Sequence, residues 1–287
     1  MSRTEIHFPG PGGFIAELAS SGDHVDLNTT DQRGTPWLHC AAQHDCRRSI
    51  DILISHDAFV DFKDKYGRTA LHIAVQSGKA MAIKTLLNLG ADINIRSKNG
   101  RNPIDDFYYC CYTSCSMSYN FNFENDDRIE RILSEHIFKL KIAGFYVHEK
   151  NYKSACCYLN GDYKSADDDT KFENRCKLEI ENLKKEKLGD VSLYDILTKQ
   201  KYLDLYVRNE EILRGFYSNN YWHKFPLYAH MINAKLYRGK KKSAGMEKIR
   251  AHGSYEILRL LPMDCWEEIM FFLDEYDLKL LAAACCI

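Results

Sequence analysis

The residues of this sequence with reactive side chains are mostly cysteines and histidines, and their spacing decides what chemistry they could do. Cys110, Cys111 and Cys115 crowd one stretch, and Cys40 precedes His44 by four residues, one helical turn. A structural zinc site takes four ligands, usually in paired spacing. The first group has no C-x-x-C pair and no well-spaced histidine, and Cys40 with His44 supplies two ligands only, so packing is the expectation for both. A cysteine nucleophile needs a histidine base held beside it, and no such arrangement is recognisable. Phosphate-loop, dinucleotide-glycine and His-Glu-x-x-His patterns are absent from the sequence. The expectation is a chain without catalytic, cofactor-binding or metal-binding residues, and so not an enzyme. The competing reading, an enzyme working through the cysteine-rich middle, predicts loss of activity on mutating Cys110, Cys111 or Cys115.

Composition narrows the classes further. The 287 residues are 45% hydrophobic and 28% charged, with 39 Lys plus Arg against 40 Asp plus Glu and a formal net charge of −1. Near-neutrality argues against a dedicated nucleic-acid binder and against a wholly disordered tail. The longest nearly apolar stretch, 258–287, is broken by charged residues from Asp264 to Lys279, which leaves no membrane span and no membrane partner in the expectation. Met1-Ser2-Arg3-Thr4-Glu5 has no apolar segment behind it, so no secretory signal is expected and the 11 cysteines are expected as reduced thiols.

His39 and His72 lead to the organisation of the chain, because they lie 33 residues apart, as do Ala41 and Ala74. Gly34, Gly67 and Gly100 keep the same period, and Ile50, Leu53 and Ile54 match Ile83, Leu86 and Leu87. Asp26-Leu27-Asn28, Phe59-Val60-Asp61 and Asp92-Ile93-Asn94 hold this register too. Such self-similarity at one period marks a repeat array. Each unit reads as a glycine-bearing turn, a short helix, and a second helix packed on it across small alanines. Thr69 takes the capping place in the second unit, Asn102 caps in the third with Pro103 at the first helical position, and Gly90 suits a left-handed helix stop.

Gly67-Arg68-Thr69-Ala70-Leu71-His72-Ile73-Ala74, closing with Leu86-Leu87-Asn88-Leu89-Gly90-Ala91-Asp92-Ile93-Asn94, resembles an ankyrin repeat. The first unit departs from that pattern: Thr35-Pro36 sits one place early, Trp37 takes the usual proline place and Asp57 replaces the usual glycine. The third starts with Asn102-Pro103-Ile104-Asp105 and then loses the pattern in Tyr108-Tyr109-Cys110-Cys111. Residues 14–28 read as a half-repeat, after a flexible lead through Pro9-Gly10-Pro11-Gly12-Gly13. So short an array needs the following helices as a cap. The resemblance implies that His39 and His72 are structural, bonding to backbone or hydroxyl groups. It also implies binding of a protein target through the hairpin tips Gln32, Arg33, Lys65, Tyr66, Lys98 and Asn99 and the short-helix face of Gln43, His44 and Gln76.

Beyond the repeats, residues 108–126 read as a linker. Helical periodicity predicts helices over 127–143 and 171–187, shorter ones at 192–198, 201–206 and 209–217, and another opened by Pro226 and carrying Leu227, Tyr228, Met231 and Ile232. The basic run 235–250 reads as a solvated helix end followed by a loop, with nuclear import or nucleic-acid contact as the other reading.

At the far end, Leu260-Leu261-Pro262 opens a helix with Trp266, Ile269, Met270 and Leu273 at i, i+3, i+4 and i+7, and Asp277-Leu278 begins another. This resembles the start of an F-box. Ankyrin units followed by a shortened terminal F-box resemble the poxvirus ankyrin-repeat C-terminal (PRANC) family, as do His136-Ile137-Phe138-Lys139-Leu140-Lys141 and Val191-Ser192-Leu193-Tyr194-Asp195-Ile196-Leu197. The resemblance implies a docking stripe of Leu261, Pro262, Trp266, Ile269, Leu273, Leu278 and Leu281 for the linker subunit of a host SCF-type (cullin–RING) ubiquitin ligase. The stripe's other reading is a packed C-terminal cap.

The expected fold is therefore mostly α: a short ankyrin-repeat solenoid, a helical region and a C-terminal F-box-like helical motif. The expected division is 1–28 lead and half-repeat, 29–107 ankyrin repeats, 108–126 linker, 127–250 helical middle region and 251–287 PRANC motif. The function implied is a non-catalytic viral adaptor that brings a host target to a host ligase in the host cytoplasm, with the nucleus as the alternative compartment. A decoy that sequesters a host signalling protein without any ligase is the competing reading.

Overall fold

The computed structural model describes residues 35–117, 123–159, 166–199 and 203–252. The half-repeat, Gln32, Arg33 and the C-terminal motif from 253 on, with Leu261, Pro262, Trp266, Ile269, Leu273, Leu278 and Leu281, lie outside the described residues. The described residues are mostly helical, and they divide into two units. One runs to Phe138 and also takes in Val147 to Ala166; the other comprises Lys139–Tyr146 and the residues from Asp167 on.

The first unit begins with two helix pairs, α1 (Trp37–Gln43) with α2 (Arg47–Ser55), and α3 (Ala70–Gln76) with α4 (Ala80–Asn88). Helix α1 packs on α3, and α2 on α4. The 33-residue register explains the stacking: Leu38, Leu71 and Ile104 recur at one position and are all buried, and Ala41 and Ala74 keep the short helices close. Burying each such Leu or Ile contributes about 1.5–3 kcal/mol, so the stack, not the individual unit, is the stable object. The units are also stitched through polar atoms. Asp45 Oδ1 accepts from the Ala82 amide of α4 at 2.6 Å, which caps a helix belonging to the next unit.

Residues 108–126 depart from the linker reading, being helical over 108–117 and again from 123. Helix α5 (Pro103–Met117) starts at a reciprocal cap, in which Asp105 N donates to Asn102 Oδ1 at 2.8 Å and Asn102 N to Asp105 Oδ2 at 3.3 Å. The aperiodic tyrosines and cysteines conceal that helix because Ile104, Asp106 and Phe107 do the burying, and the third unit keeps the inner-helix register instead of dissolving. Helix α3 packs on α5. Helix α6 (Phe123–Ile142) reaches the turn of the second repeat, with Asn125 Nδ2 donating to the Gly78 carbonyl at 2.9 Å. Helix α7 (Glu149–Leu159) completes this unit, with Tyr152 against Phe138.

The second unit is built on α8 (Ala166–Lys185), the hairpin β1 (Lys187–Leu188) and β2 (Val191–Ser192), and the helices α9 (Leu193–Thr198), α10 (Leu203–Arg208), α11 (Glu210–Ser218), α12 (Tyr221–Lys224) and α13 (Ala229–His252). Cys176, Ile180 and Leu183 of α8 share one core with Leu193, Ile196, Phe216, Phe225, Tyr228 and Ile232. Buried Glu179 accepts from the Leu227 and Tyr228 amides at 3.0 and 2.9 Å, holding the entry to α13. Residues 235–250, expected as a helix end and a loop, are continuous helix. Gly239 within it is there for contact: a Cβ would meet Leu203 Cγ at 2.7 Å and Val207 Cγ1 at 2.9 Å. Nor is the run wholly solvated. Lys235 Nζ is buried 5.0 Å from the Phe145 ring centroid, and burial pushes its amine down to about 8. No described helix is long and apolar enough to cross a membrane.

Candidate functional site

Among the described residues, the repeats project their tips from two loops built alike. In the second unit Asp64 N donates to the Arg68 carbonyl and Gly67 N to the Asp64 carbonyl, both at 2.9 Å; Ser97, Gly100 and Arg101 repeat this pair of bonds at 2.9 Å in the third. Lys98 N donates to the Tyr66 carbonyl at 2.9 Å and locks one tip beside the other. The Asp64 carboxylate accepts from the Tyr66 and Arg68 amides at 2.9 and 2.8 Å and from Arg68 Nε at 2.9 Å. Burial alone would raise its pKa, but these donors win and hold it below the usual carboxylate value.

The recurring histidines fix the tips from behind. His39 Nε2 donates to the Arg68 carbonyl at 2.8 Å, and His72 Nε2 to the Arg101 carbonyl at 3.2 Å. A carbonyl can only accept, so each ring carries its proton on Nε2 and presents Nδ1 as an acceptor. His72 Nδ1 receives the Thr69 amide at 3.1 Å and lies 2.9 Å from the Thr69 hydroxyl. His39 Nδ1 has no partner among the described residues, because its capping position holds Pro36, which has neither N–H nor hydroxyl. Burial pushes His39 down to about 4 and lowers His72 as well.

From these tips a polar ladder crosses the inner helices. The Arg68 guanidinium lies 4.9 Å from the Tyr66 ring centroid, and its NH1 donates to Gln76 Oε1 at 3.2 Å. Gln76 Nε2 donates to Asp106 Oδ2 at 2.7 Å, Arg101 Nε donates to Asp106 Oδ1 at 2.6 Å, and the Arg101 guanidinium stands 4.1 Å from the Tyr109 ring centroid. Asp106 is only 2% exposed, whereas Tyr66 and Tyr109 are 52% and 51% exposed. The face thus presents two large aromatic rings to solvent, each with an arginine guanidinium against it.

Of the residues expected to contact a target, Gln43, His44, Lys65, Tyr66, Lys98 and Asn99 are exposed on this tip and inner-helix side. Gln76 is half-buried and serves as a rung of the ladder. The sequence reading passed over Arg68, Arg101, Asp106 and Tyr109, although the 33-residue spacing of Arg68 and Arg101 was there to be found. No group of three metal-ligating side chains occurs among the described residues. Cys110 sits on α5 beside this face, and burial together with Asp106 raises its thiol pKa, opposite to the shift a nucleophile needs.

Residues 12–97 match the family described as Ankyrin repeats (3 copies), a protein–protein interaction module; no catalytic family is indicated. No curated protein matches the chain. The matched residues stop before α5, so the register kept by Ile104 extends the stack beyond them.

Proposed function

We propose that the chain is a non-catalytic adaptor of the poxvirus PRANC kind. Its ankyrin repeats hold a host protein, and its C-terminal F-box-like segment recruits a host SCF-type ubiquitin ligase through the linker subunit. The observation that carries the first half is the exposed tip face, with Lys65, Tyr66, Lys98 and Asn99 presented on hydrogen-bonded tips, the first two within residues 12–97 matched as ankyrin repeats and the other two just beyond them. The second half rests on sequence alone: the Leu261-Pro262 start and the stripe of Trp266, Ile269, Leu273, Leu278 and Leu281. Tethering of this kind replaces a bimolecular encounter by a local one, with an effective concentration of about millimolar for short connections. The host cytoplasm, or the nucleus, is the compartment where such a ligase would act.

Affinity purification of the wild-type chain beside a Trp266→Asp/Ile269→Asp variant tests the reading. The adaptor predicts a ligase linker subunit recovered with the wild type and lost with the variant, while the target stays with both. If the wild type recovers no ligase subunit, the adaptor is discarded and the sequestering decoy takes its place.

A further inference from the structure

The charges of the tip face repeat as faithfully as its fold. Lys63 and Arg96, Lys65 and Lys98, and Arg68 and Arg101 are three cation pairs, each at the 33-residue spacing. Lys63, Lys65, Arg96 and Lys98 are exposed, and Arg68 and Arg101 half-exposed. The acids among them face inward. The Asp64 side chain is 5% exposed and saturated by its own loop and Arg68, and Asp106 is shared between Gln76 and Arg101. Helices α1 and α3 carry no acid at all, and Asp105 is engaged by Arg96 and Lys150, both at 3.6 Å. A chain of net charge −1 thus turns a row of cations outward in each of the two described tips, flanked by half-exposed Asp61 and exposed Asp92, whose amide donates to Asp61 Oδ1 at 2.9 Å.

Resting on the reading of the repeats as the target-holding part, we infer that the partner segment on this face is an extended, acidic stretch of protein. Stacked elements sit about 8–10 Å apart, and three residues of extended polyproline-II chain, one full turn, span about 9 Å and return to the same face. Carboxylates three residues apart therefore meet equivalent cations of successive tips. Arg101 uses Nε for Asp106, which leaves its terminal nitrogens for a second carboxylate. Single-stranded nucleic acid suits the face less well. It binds by stacking bases on open aromatic rings, and here Arg68 and Arg101 already stand against the rings of Tyr66 and Tyr109.

Fluorescence anisotropy on the full chain tests this with three labelled probes: a twelve-residue peptide with Glu at every third position among Ser and Ala, its Lys counterpart, and a twelve-nucleotide oligothymidine. The acidic peptide should bind at least about tenfold more tightly than either other probe. Its affinity should weaken severalfold between about 50 and about 300 mM salt. A Lys65→Glu/Lys98→Glu variant, altered only at exposed side chains and checked by circular dichroism, should lose at least about tenfold. Equal binding of the Lys peptide, tighter binding of the oligonucleotide, no detectable binding of the acidic peptide, or full binding by the charge-reversed variant overturns the inference. If that happens while the purification above still recovers target and ligase subunit, the adaptor stands and only the acidic preference falls.

Discussion

His39 and His72 occupy equivalent positions in adjoining units and differ in one neighbour. His72 has Thr69 to satisfy Nδ1, while His39 has Pro36 at the equivalent place and leaves that nitrogen unmatched among the described residues. A buried unmet acceptor is costly, so Pro36→Thr is expected to stabilise the chain by about 1 kcal/mol. That would appear as a higher urea midpoint with an unchanged denaturant slope; an unchanged or lower midpoint would refute the explanation. His39 also makes stability depend on pH. Its pKa is about 4 in the fold against an ordinary 6.5, so in that window the unfolded chain binds the extra proton. Stability is fully present above pH 6.5 and declines as pH falls towards 4, by up to about 3 kcal/mol. Urea titrations of wild type and His39→Gln across that range should show the slope shrinking in the variant. Equal slopes would mean that other groups set the acid sensitivity.

The helix stops pose the corresponding question for elements. Asp45 and Asp57 adopt positive φ, 56° and 71°, at positions where the second unit has Gly78 and Gly90. A left-handed conformation costs a side-chain-bearing residue about 1 kcal/mol or more. Asp57 is exposed, so Asp57→Gly is expected to stabilise the first unit by about 0.5–1 kcal/mol. Asp45 is different, since its carboxylate caps α4 in the next unit through the Ala82 amide. Asp45→Gly is expected to destabilise by about 1 kcal/mol in spite of the relieved backbone. Thermal melts of the two variants should move in opposite directions; a shift of the same sign in both would show that Asp45 is no cap.

At the scale of the molecule, the legible part of the sequence was the part with a period. The 33-residue spacing yields α1 to α4, their core and the exposed tips, because each unit repeats the same burial problem. The α5 helix escaped because, among the residues of it whose burial is described, Pro103, Ile104, Asp106 and Phe107 are the buried ones, and the tyrosines and cysteines that follow carry no periodic stripe. The short hairpin of β1 and β2 escaped because two residues per strand are too few to alternate, although Gly189-Asp190 marks its turn. Gln76 was read as a contact residue because the sequence cannot show that Arg68 and Asp106 would engage it. The cation pairs were visible, but their meaning depended on learning that Asp64 and Asp106 turn inward.

The adaptor reading joins a target-holding face to a ligase-recruiting tail, and its most direct test is a two-component one. The purified full chain is measured against a purified SCF linker subunit bound to the cullin amino-terminal domain, by biolayer interferometry. Micromolar or tighter binding by the wild type, weakened at least about 30-fold by Trp266→Asp as expected for an aromatic anchor worth about 2 kcal/mol, is the result predicted. No binding by the wild type, or equal binding by the variant, would contradict it.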